Sequence, residues 1–194
     1  MGKRAFDLLI AILVIVLVLT WLIPLLGALI RLTSRGPVFF VQLRTGRNGQ
    51  HFRCLKLRTM VHGCSDGFQQ TTLNDPRVTK VGRFLRRSNL DELPQVLNVL
   101  MGEMSIVGPR PHAIQHDAQY WNTLPGYRDR YLVKPGITGL AQVRGCRGET
   151  TRLQQMRHRV RLDHWYIEKV TLGLDLKICW WTVRNMLTGD KDAW

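Results

Sequence analysis

Asp91 and Glu92 are adjacent carboxylates in a chain that carries 28 lysine and arginine residues against 14 acidic ones. Arg87 lies shortly before this pair, and Arg110 follows it within a proline-rich segment at residues 108–111. Two negative charges in so basic a neighbourhood are the foremost candidates for chemistry. The simpler alternative is that an acidic residue here only caps a helix, a role that typically contributes about 0.5–2 kcal/mol.

Pro94 indicates where the helix that follows this pair begins. Proline is tolerated in the first turn of a helix, whose N–H groups have no partner within the helix, so the N-cap is predicted between Asp91 and Pro94. The apolar residues that follow recur at helical spacing up to Met101, and Gly102 is a typical stop. The carboxylate pair is therefore expected at a helix N-terminus, where an anion is stabilised.

The composition restricts the class of protein. A formal net charge of +14 indicates an anionic partner, and charge alone leaves this partner open between nucleic acid, a membrane surface and a phosphorylated substrate. The 4 cysteines lie far apart and show no Cys-x-x-Cys spacing. This pattern predicts free thiols in a reducing compartment and argues against a zinc site.

Residues 8–30 carry no charge and are numerous enough to cross the hydrocarbon layer as a helix. Lys3 and Arg4 flank this segment on one side and the basic remainder of the chain flanks it on the other, so the positive-inside tendency places both ends in the cytoplasm. A helix that breaks near Pro24 and turns back satisfies both flanks. A single spanning helix is the main alternative, because broken backbone at membrane depth must find partners within the protein.

Residues 36–42 and 51–60 read as two short strands, and the glycine-bearing turn at 44–50 between them predicts a β-hairpin. Lys56 and Arg58 of the second strand are candidates for phosphate binding. Basic residues on a strand can equally form an ordinary solvated face.

Three further segments are predicted to lie at the surface. The polar residues 63–74 predict a surface loop. Basic and apolar residues recur at helical spacing over 77–87, and residues 172–187 include Trp180 and Trp181 among apolar neighbours. The last two segments predict amphipathic helices that lie on an anionic membrane or pack on the core with a solvated face.

Arg110 lies between two prolines, which reduce the entropy lost in holding its guanidinium ready for an anion. Arg147 belongs to a second basic, glycine-bearing segment at residues 144–150. A helical pattern follows over residues 151–169, and Asp163 within it is expected to be buried or directed at a basic partner.

Five motifs together resemble the bacterial sugar transferase family, the monotopic polyprenyl-phosphate phosphoglycosyl transferases. These motifs are KLRTM at 56–60, DPRVTKVG at 75–82, LDELPQ at 90–95, SIVGPRP at 105–111 and KPGITG at 134–139. The resemblance runs from about Arg4 to the C-terminus. Several long motifs in the same order argue against a chance match.

The resemblance implies transfer of a sugar-1-phosphate from a UDP-sugar to undecaprenyl phosphate, with release of UMP and with Mg²⁺ as cofactor. It implies that Asp91 is the nucleophile that forms a covalent phosphosugar intermediate and that Glu92 is its partner in metal binding or positioning. The residues that we expect to bind the substrate or its phosphates are Lys56, Arg58, Arg87, Arg110, Arg147 and Asp163.

The implied fold is α+β and mostly helical. Residues 1–35 would form a re-entrant membrane helix with a break, and residues 36–194 a small catalytic domain with interfacial amphipathic helices on the cytoplasmic face of the bacterial inner membrane. The expected partners are a UDP-sugar, undecaprenyl phosphate and inner-membrane lipid, without nucleic acid. A homodimer is left open.

Within the family, residues 112–113, 147–150 and 156–160 resemble the glucose-1-phosphate transferases that begin colanic-acid-type exopolysaccharides, which favours glucose over galactose as the sugar. Arg144 stands where the family's A-Q-x-N-G motif usually has asparagine. The competing class is a membrane-tethered basic module that binds nucleic acid or anionic lipid. This class does not explain Asp91 and Glu92, whose charges would weaken anion binding.

Overall fold

The computed structural model describes residues 2–63, 71–72, 75–146, 148 and 152–188. Helices predominate, and the strands form two small sheets, as predicted for an α+β fold. The elements are, in chain order, α1 Gly2–Val14, a π-helical turn Ile15–Leu19, α2 Thr20–Thr33, β1 Phe39–Thr45, β2 His51–Leu57, α3 Lys80–Arg87, α4 Gln95–Met101, β3 Ser105–Val107, α5 Ile114–Tyr120, β4 Gly136–Thr138, α6 Leu140–Val143, α7 Leu153–Lys169 and α8 Leu172–Thr188.

The first helical segments form one continuous apolar helix over Gly2–Thr33, which is long and apolar enough to cross a membrane. The helix continues through Pro24, so the predicted position of the break is wrong. The irregularity is instead the π-helical turn at Ile15–Leu19. In this region Thr20 Oγ1 donates to the Val16 carbonyl at 2.9 Å and Trp21 Nε1 donates to the Leu17 carbonyl at 2.8 Å. Side chains thus supply partners to carbonyls in the irregular backbone.

Lys3 and Arg4 tie the beginning of this helix to the rest of the chain. Lys3 Nζ contacts Asp175 Oδ2 of α8 at 2.6 Å and donates to the Val107 carbonyl at 3.0 Å. Arg4 Nη1 donates to the Val99 carbonyl at 2.7 Å, near the end of α4. Both cations therefore bind the body of the protein, and a prediction based on membrane charge rules alone could not give these partners.

The other end of the same helix is bound by Arg58. Its guanidinium donates to the Ser34 carbonyl at 2.7 Å and to the Arg35 carbonyl at 2.8 Å. Leu26 and Ile30 of α2 pack with Leu57 in one buried cluster. Both ends of the apolar helix therefore contact the rest of the chain.

The predicted hairpin is confirmed as an antiparallel pair of β1 and β2, with Phe39 opposite Leu57 and Thr45 opposite His51. A second, parallel pair joins β3 and β4 in the register Ser105 to Gly136. The main apolar core lies between these sheets and the helices. Its fully buried members include Cys54, Val99, Met104, Val107 and Ile178.

The helices expected at 77–87, after Pro94, at 151–169 and at 172–187 are present as α3, α4, α7 and α8. Pro94 is the N-cap of α4, and Gly102 ends this helix in the left-handed conformation with φ 87°. Most of the loop predicted at 63–74 lies outside the described residues.

Candidate active site

Asp91 and Glu92 lie in a 3-10 turn, Leu90–Glu92, that leads directly into α4. Asn89 enters the turn in the left-handed region with φ 56°, which asparagine tolerates better than most residues. Each acidic residue is only 8% exposed. The pair thus precedes the N-cap of α4, and the backbone turns here before the helix begins.

Glu92 is held by two cations. Lys56 Nζ donates to Glu92 Oε1 at 2.6 Å, and the Arg110 guanidinium bonds both carboxylate oxygens at 2.5 and 3.0 Å. Burial alone would raise the pKa of Glu92, but Arg110 and Lys56 outweigh it and hold this pKa well below its usual range. Glu92 is therefore a fixed anion that positions Lys56 and Arg110.

Asp91 differs from its neighbour, since its carboxylate accepts no hydrogen bond within the described part of the chain. Burial raises the pKa of Asp91, and the negative charge of Glu92 adds to this rise; Lys56, Arg86 and Arg110 act in the opposite direction. A helix N-terminus was expected to keep Asp91 ionised, but the pKa of Asp91 lies above its ordinary value, and what lowers it is the charge of these cations. Nearby cations are required to favour its charged form.

The loop that carries Arg110 rests on the K-P-G-I-T-G motif. Gly108 N donates to the Thr138 carbonyl and Gly136 N to the Pro109 carbonyl, each at 2.9 Å. A Cβ atom on Gly136 would lie 2.1 Å from Gly108 N, so only glycine permits this approach of the two backbones. Two distant motifs thereby fix the position of Arg110 opposite Glu92.

Asp163 lies behind this loop and binds a cation other than the two at the carboxylate pair. Its Oδ2 is 2.7 Å from Nε of Arg130, a residue that is only 1% exposed. Arg130 Nη2 donates in turn to the Arg110 carbonyl at 2.9 Å. Asp163 is thus buried and directed at a basic partner, as predicted, and reaches the site through Arg130.

His112 is enclosed by cations in the same buried region. Burial, together with Arg130 and Arg159, holds the pKa of His112 well below its usual range, so its ring is neutral. Tyr127 OH lies 2.6 Å from His112 Nδ1 and donates to Asp117, and Arg159 Nη1 lies 3.2 Å from Nε2. Arg130 Nη1 also lies 3.0 Å from Nδ1, so guanidinium groups, which can only donate, face both nitrogens of this neutral ring.

The structure separates the residues that were expected to bind phosphate. It brings Lys56 and Arg110 to Glu92, whereas Arg58 binds the end of the apolar helix. Arg87 is exposed on α3. Arg147 lies outside the described residues.

Sequence reasoning missed Arg86, whose charge lowers the pKa of Asp91 and whose Nε donates to Thr59 Oγ1 at 2.9 Å. The adjacent arginines of α3 look alike in the sequence, and only the orientation of the helix distinguishes them. It also missed Arg130 and Arg159 because their partners are far away along the chain. The only sign of them in the sequence was that the segments around Arg130 and Arg159 are rich in basic residues.

The site is a buried pair of carboxylates among cations, and both ends of a long apolar helix bind the part of the chain that carries it. This arrangement fits a membrane-associated protein that acts on a phosphorylated substrate. The chain belongs to the bacterial sugar transferase family, whose model matches residues 1–189. The family and the apolar helix indicate a membrane location.

Curated relatives carry consistent names. A protein of Klebsiella pneumoniae, named UDP-glucose:undecaprenyl-phosphate glucose-1-phosphate transferase, is 48% identical over 93% of this chain and 39% of its own length. A Caulobacter vibrioides protein of the same name is 50% identical over 97% of this chain and 71% of its own length. The exopolysaccharide production protein PSS of Rhizobium leguminosarum is 44% identical over 97% of this chain and 96% of its own length. The chain thus spans well under half of the Klebsiella relative.

Proposed function

We propose that this protein transfers a hexose-1-phosphate from a UDP-sugar to undecaprenyl phosphate and releases UMP. The observation that carries the proposal is the contrast within the carboxylate pair: Glu92 is bound by Lys56 and Arg110, while Asp91 accepts no hydrogen bond among the described residues. One carboxylate is thus positioned to organise cations and the other is available to react. Family membership and the names of the relatives support the same reaction.

In the first step, an Asp91 oxygen attacks the phosphorus atom that bears the sugar. A bond forms between carboxylate oxygen and phosphorus, the pyrophosphate bond breaks, and UMP leaves with the bonding electrons. In the second step, a phosphate oxygen of the lipid attacks the same phosphorus atom and releases the Asp91 carboxylate. Lys56 and Arg110 lie where they can stabilise negative charge on the transferring group, and burial of the pair limits access of water to the intermediate.

Asp91 and Glu92 are also the residues that would hold Mg²⁺. This ion prefers oxygen ligands and is commonly bound by one or two carboxylates together with substrate phosphates. No group of three or more metal-ligating side chains occurs among the described residues, so substrate oxygens and water would complete the coordination. When bound, Mg²⁺ supplies charge neutralisation at the phosphates. Both Glu92 oxygens already accept hydrogen bonds, so a metal ion would share this carboxylate with Lys56 and Arg110.

We further propose that the apolar helix is re-entrant and that the site faces the cytoplasm. A straight helix of 32 residues would be about 48 Å long, which exceeds the hydrocarbon thickness of about 30 Å. Lys3 binds Asp175 at one end of the helix, and Arg58 binds the Ser34 carbonyl just beyond the other. Polar contacts of both ends with one body favour a helix that returns to the side it entered.

Glucose is the favoured sugar, and galactose is second. The names of the Klebsiella and Caulobacter relatives specify UDP-glucose. This choice is independent of the reaction class, since Asp91 and Glu92 act on the phosphate and not on the sugar ring.

The reaction is tested with the purified full chain, Mg²⁺, undecaprenyl phosphate and a panel of UDP-sugars, with UMP release as the measurement. Wild type should release UMP, most rapidly from UDP-glucose, and Asp91→Asn should release none while remaining folded and membrane-bound. Asp129→Asn is the matched control, because Asp129 is an exposed carboxylate whose side chain is 60% accessible.

Incubation with UDP-sugar but without lipid should leave a hexose phosphate on the peptide that contains Asp91. Activity in Asp91→Asn would exclude this nucleophile, and salt-sensitive nucleic-acid binding without UMP release would favour the basic binding module.

A further inference from the structure

Helix α8 has an exposed apolar stripe that nothing else in the described chain covers. Its members are spaced at three or four residues and include Trp180, which is 66% exposed, and Leu187, which is 83% exposed. The full stripe consists of Leu172, Leu176, Trp180, Val183 and Leu187. A stripe of this kind indicates an apolar environment along one side of the helix.

A basic stripe lies beside it on the same helix. Lys177, Trp181 and Arg184 follow each other at spacings of four and three residues, so they share one face. The guanidinium carbon of Arg144 lies 5.1 Å from the centre of the Trp181 ring, which adds a third cation to this face. Arg144, Lys177 and Arg184 are all exposed, and no described carboxylate forms an ion pair with any of them. We call these three cations and Trp181 the α8 basic face.

The position of α8 relative to the apolar helix links this face to the bilayer. Asp175, the only acidic residue of α8, is buried in its first turn and bound to Lys3 at 2.6 Å. Lys3 lies just before the uncharged part of the apolar helix, so α8 begins at the level where that helix enters the membrane. From there, the apolar stripe of α8 can enter the membrane interface while the neighbouring cations remain at the depth of the lipid phosphates.

We propose that the α8 basic face binds the headgroup of an anionic phospholipid at the bilayer surface. Arg144 supplies a planar guanidinium that can bond two phosphate oxygens while it stacks on Trp181, and Lys177 and Arg184 add charge on either side. A second copy of the chain fits less well, because it would bring a further +14 of net charge to a face that already carries three cations. The inference needs the membrane location but not the proposed transfer reaction.

Native mass spectrometry of the full chain in detergent, titrated with phosphatidylglycerol or with phosphatidylcholine, tests this site. Wild type should bind phosphatidylglycerol more tightly than phosphatidylcholine, and Arg144→Gln should weaken phosphatidylglycerol binding by about fivefold, the typical loss for one basic residue near an anionic surface. Arg144→Lys keeps the charge and should retain most of the affinity. Added salt should weaken binding by wild type.

Arg161→Gln is the matched control, since Arg161 is an exposed arginine on the neighbouring helix α7. It should bind phosphatidylglycerol as wild type does. If Arg144→Gln and Arg161→Gln lost the same affinity for phosphatidylglycerol, binding would depend only on the net charge of the protein, and the proposal would be overturned. Equal binding of the two lipids by wild type would overturn it as well, and so would a change in the ratio of monomer to dimer in Arg144→Gln without a change in lipid binding. None of these outcomes depends on UMP release, so failure here is distinct from failure of the proposed function.

Discussion

Asp91 and Glu92 are neighbours in the chain, yet their surroundings move their pKa values in opposite directions. The difference follows from their partners: Glu92 receives hydrogen bonds from Lys56 and Arg110, whereas the described residues act on Asp91 only through the longer-range charge of cations. Two carboxylates with separated pKa values suit two roles. In the proposed reaction the ionised form of Asp91 is the nucleophile, so the cations around it should determine the lowest pH at which the protein works.

We expect Lys56→Gln to move the acid limb of the rate profile to higher pH. The charge of Lys56 is the largest influence that lowers the pKa of Asp91, so its removal raises this pKa and the ionised form is lost at a higher pH as acid is added. The measurement is kcat/KM for UMP release between about pH 3 and pH 9, a range that brackets the ordinary carboxylate pKa values of about 4.

Lys169→Gln, which removes an exposed lysine at the end of α7, is the control and should leave the acid limb unchanged. A Lys56→Gln profile with the wild-type acid limb, or with a limb at lower pH, would contradict the proposed role of Asp91.

Asp163→Asn is expected to weaken both stability and activity through Arg130. It leaves a buried guanidinium without its carboxylate, a change that typically costs about 3–5 kcal/mol of unfolding free energy. The double change Asp163→Leu with Arg130→Met removes both charges and should recover much of the stability. Activity should stay low, because the Arg110 carbonyl loses its donor.

Thermal unfolding in detergent and UMP release separate these two effects. If Asp163→Asn kept the wild-type melting temperature and only raised KM for the UDP-sugar, Asp163 would contact the substrate directly. The positioning role would then be wrong.

The elements of this fold were predictable to different degrees, and the differences have physical causes. Helix α4 was predictable because its signals are local: Pro94 at the start, apolar residues at helical spacing and Gly102 at the end. The β1–β2 hairpin was predictable for the same reason. The parallel pair β3–β4 was not, because it joins segments about thirty residues apart through backbone contacts that no local pattern encodes.

The apolar helix shows the same limit. Its apolar composition predicts a membrane segment, and Pro24 was the obvious candidate for the break. The π-helical turn lies earlier, where Thr20 and Trp21 can donate to backbone carbonyls.

At the site, Lys56 and Arg110 could be selected from sequence motifs. Arg86 and Arg130 could not, because Arg86 is identified only by the orientation of α3 and Arg130 only by a long-range ion pair.

Gly136→Ala is expected to disable the site while the protein stays in the membrane. The added Cβ would lie 2.1 Å from Gly108 N and 2.4 Å from the Thr138 carbonyl oxygen, and since both are backbone atoms, the loop that carries Arg110 must move. A displacement of about 1 Å at a catalytic group can cost about 100-fold in rate, which is the loss that we expect in UMP release.

Gly173→Ala is the control, because a Cβ there meets nothing within 4 Å. It should leave activity unchanged. Wild-type activity in Gly136→Ala would show that the approach of the two backbones does not position Arg110.

At the scale of the whole molecule, the charge of +14 serves several surfaces. Lys56 and Arg110 face the carboxylate pair, Lys3 and Arg58 bind both ends of the apolar helix to the body, and Arg144 belongs to the α8 basic face. The sequence alone led us to assign most of these cations to substrate or lipid. The structure shows that part of the charge holds the membrane helix in place.

This binding at both ends predicts the topology of the helix. Gly2→Cys, in a variant whose 4 native cysteines are replaced, should not react with a membrane-impermeant maleimide added to intact spheroplasts, because Lys3 holds this end beside Asp175 on the body that the proposed topology places in the cytoplasm. Lys169→Cys in the same background reports on an exposed position of the body and is the reference. Both cysteines should react only after lysis. Labelling of Gly2→Cys in intact spheroplasts that leave Lys169→Cys unlabelled would place the two on opposite sides, and a single spanning helix would replace the re-entrant one.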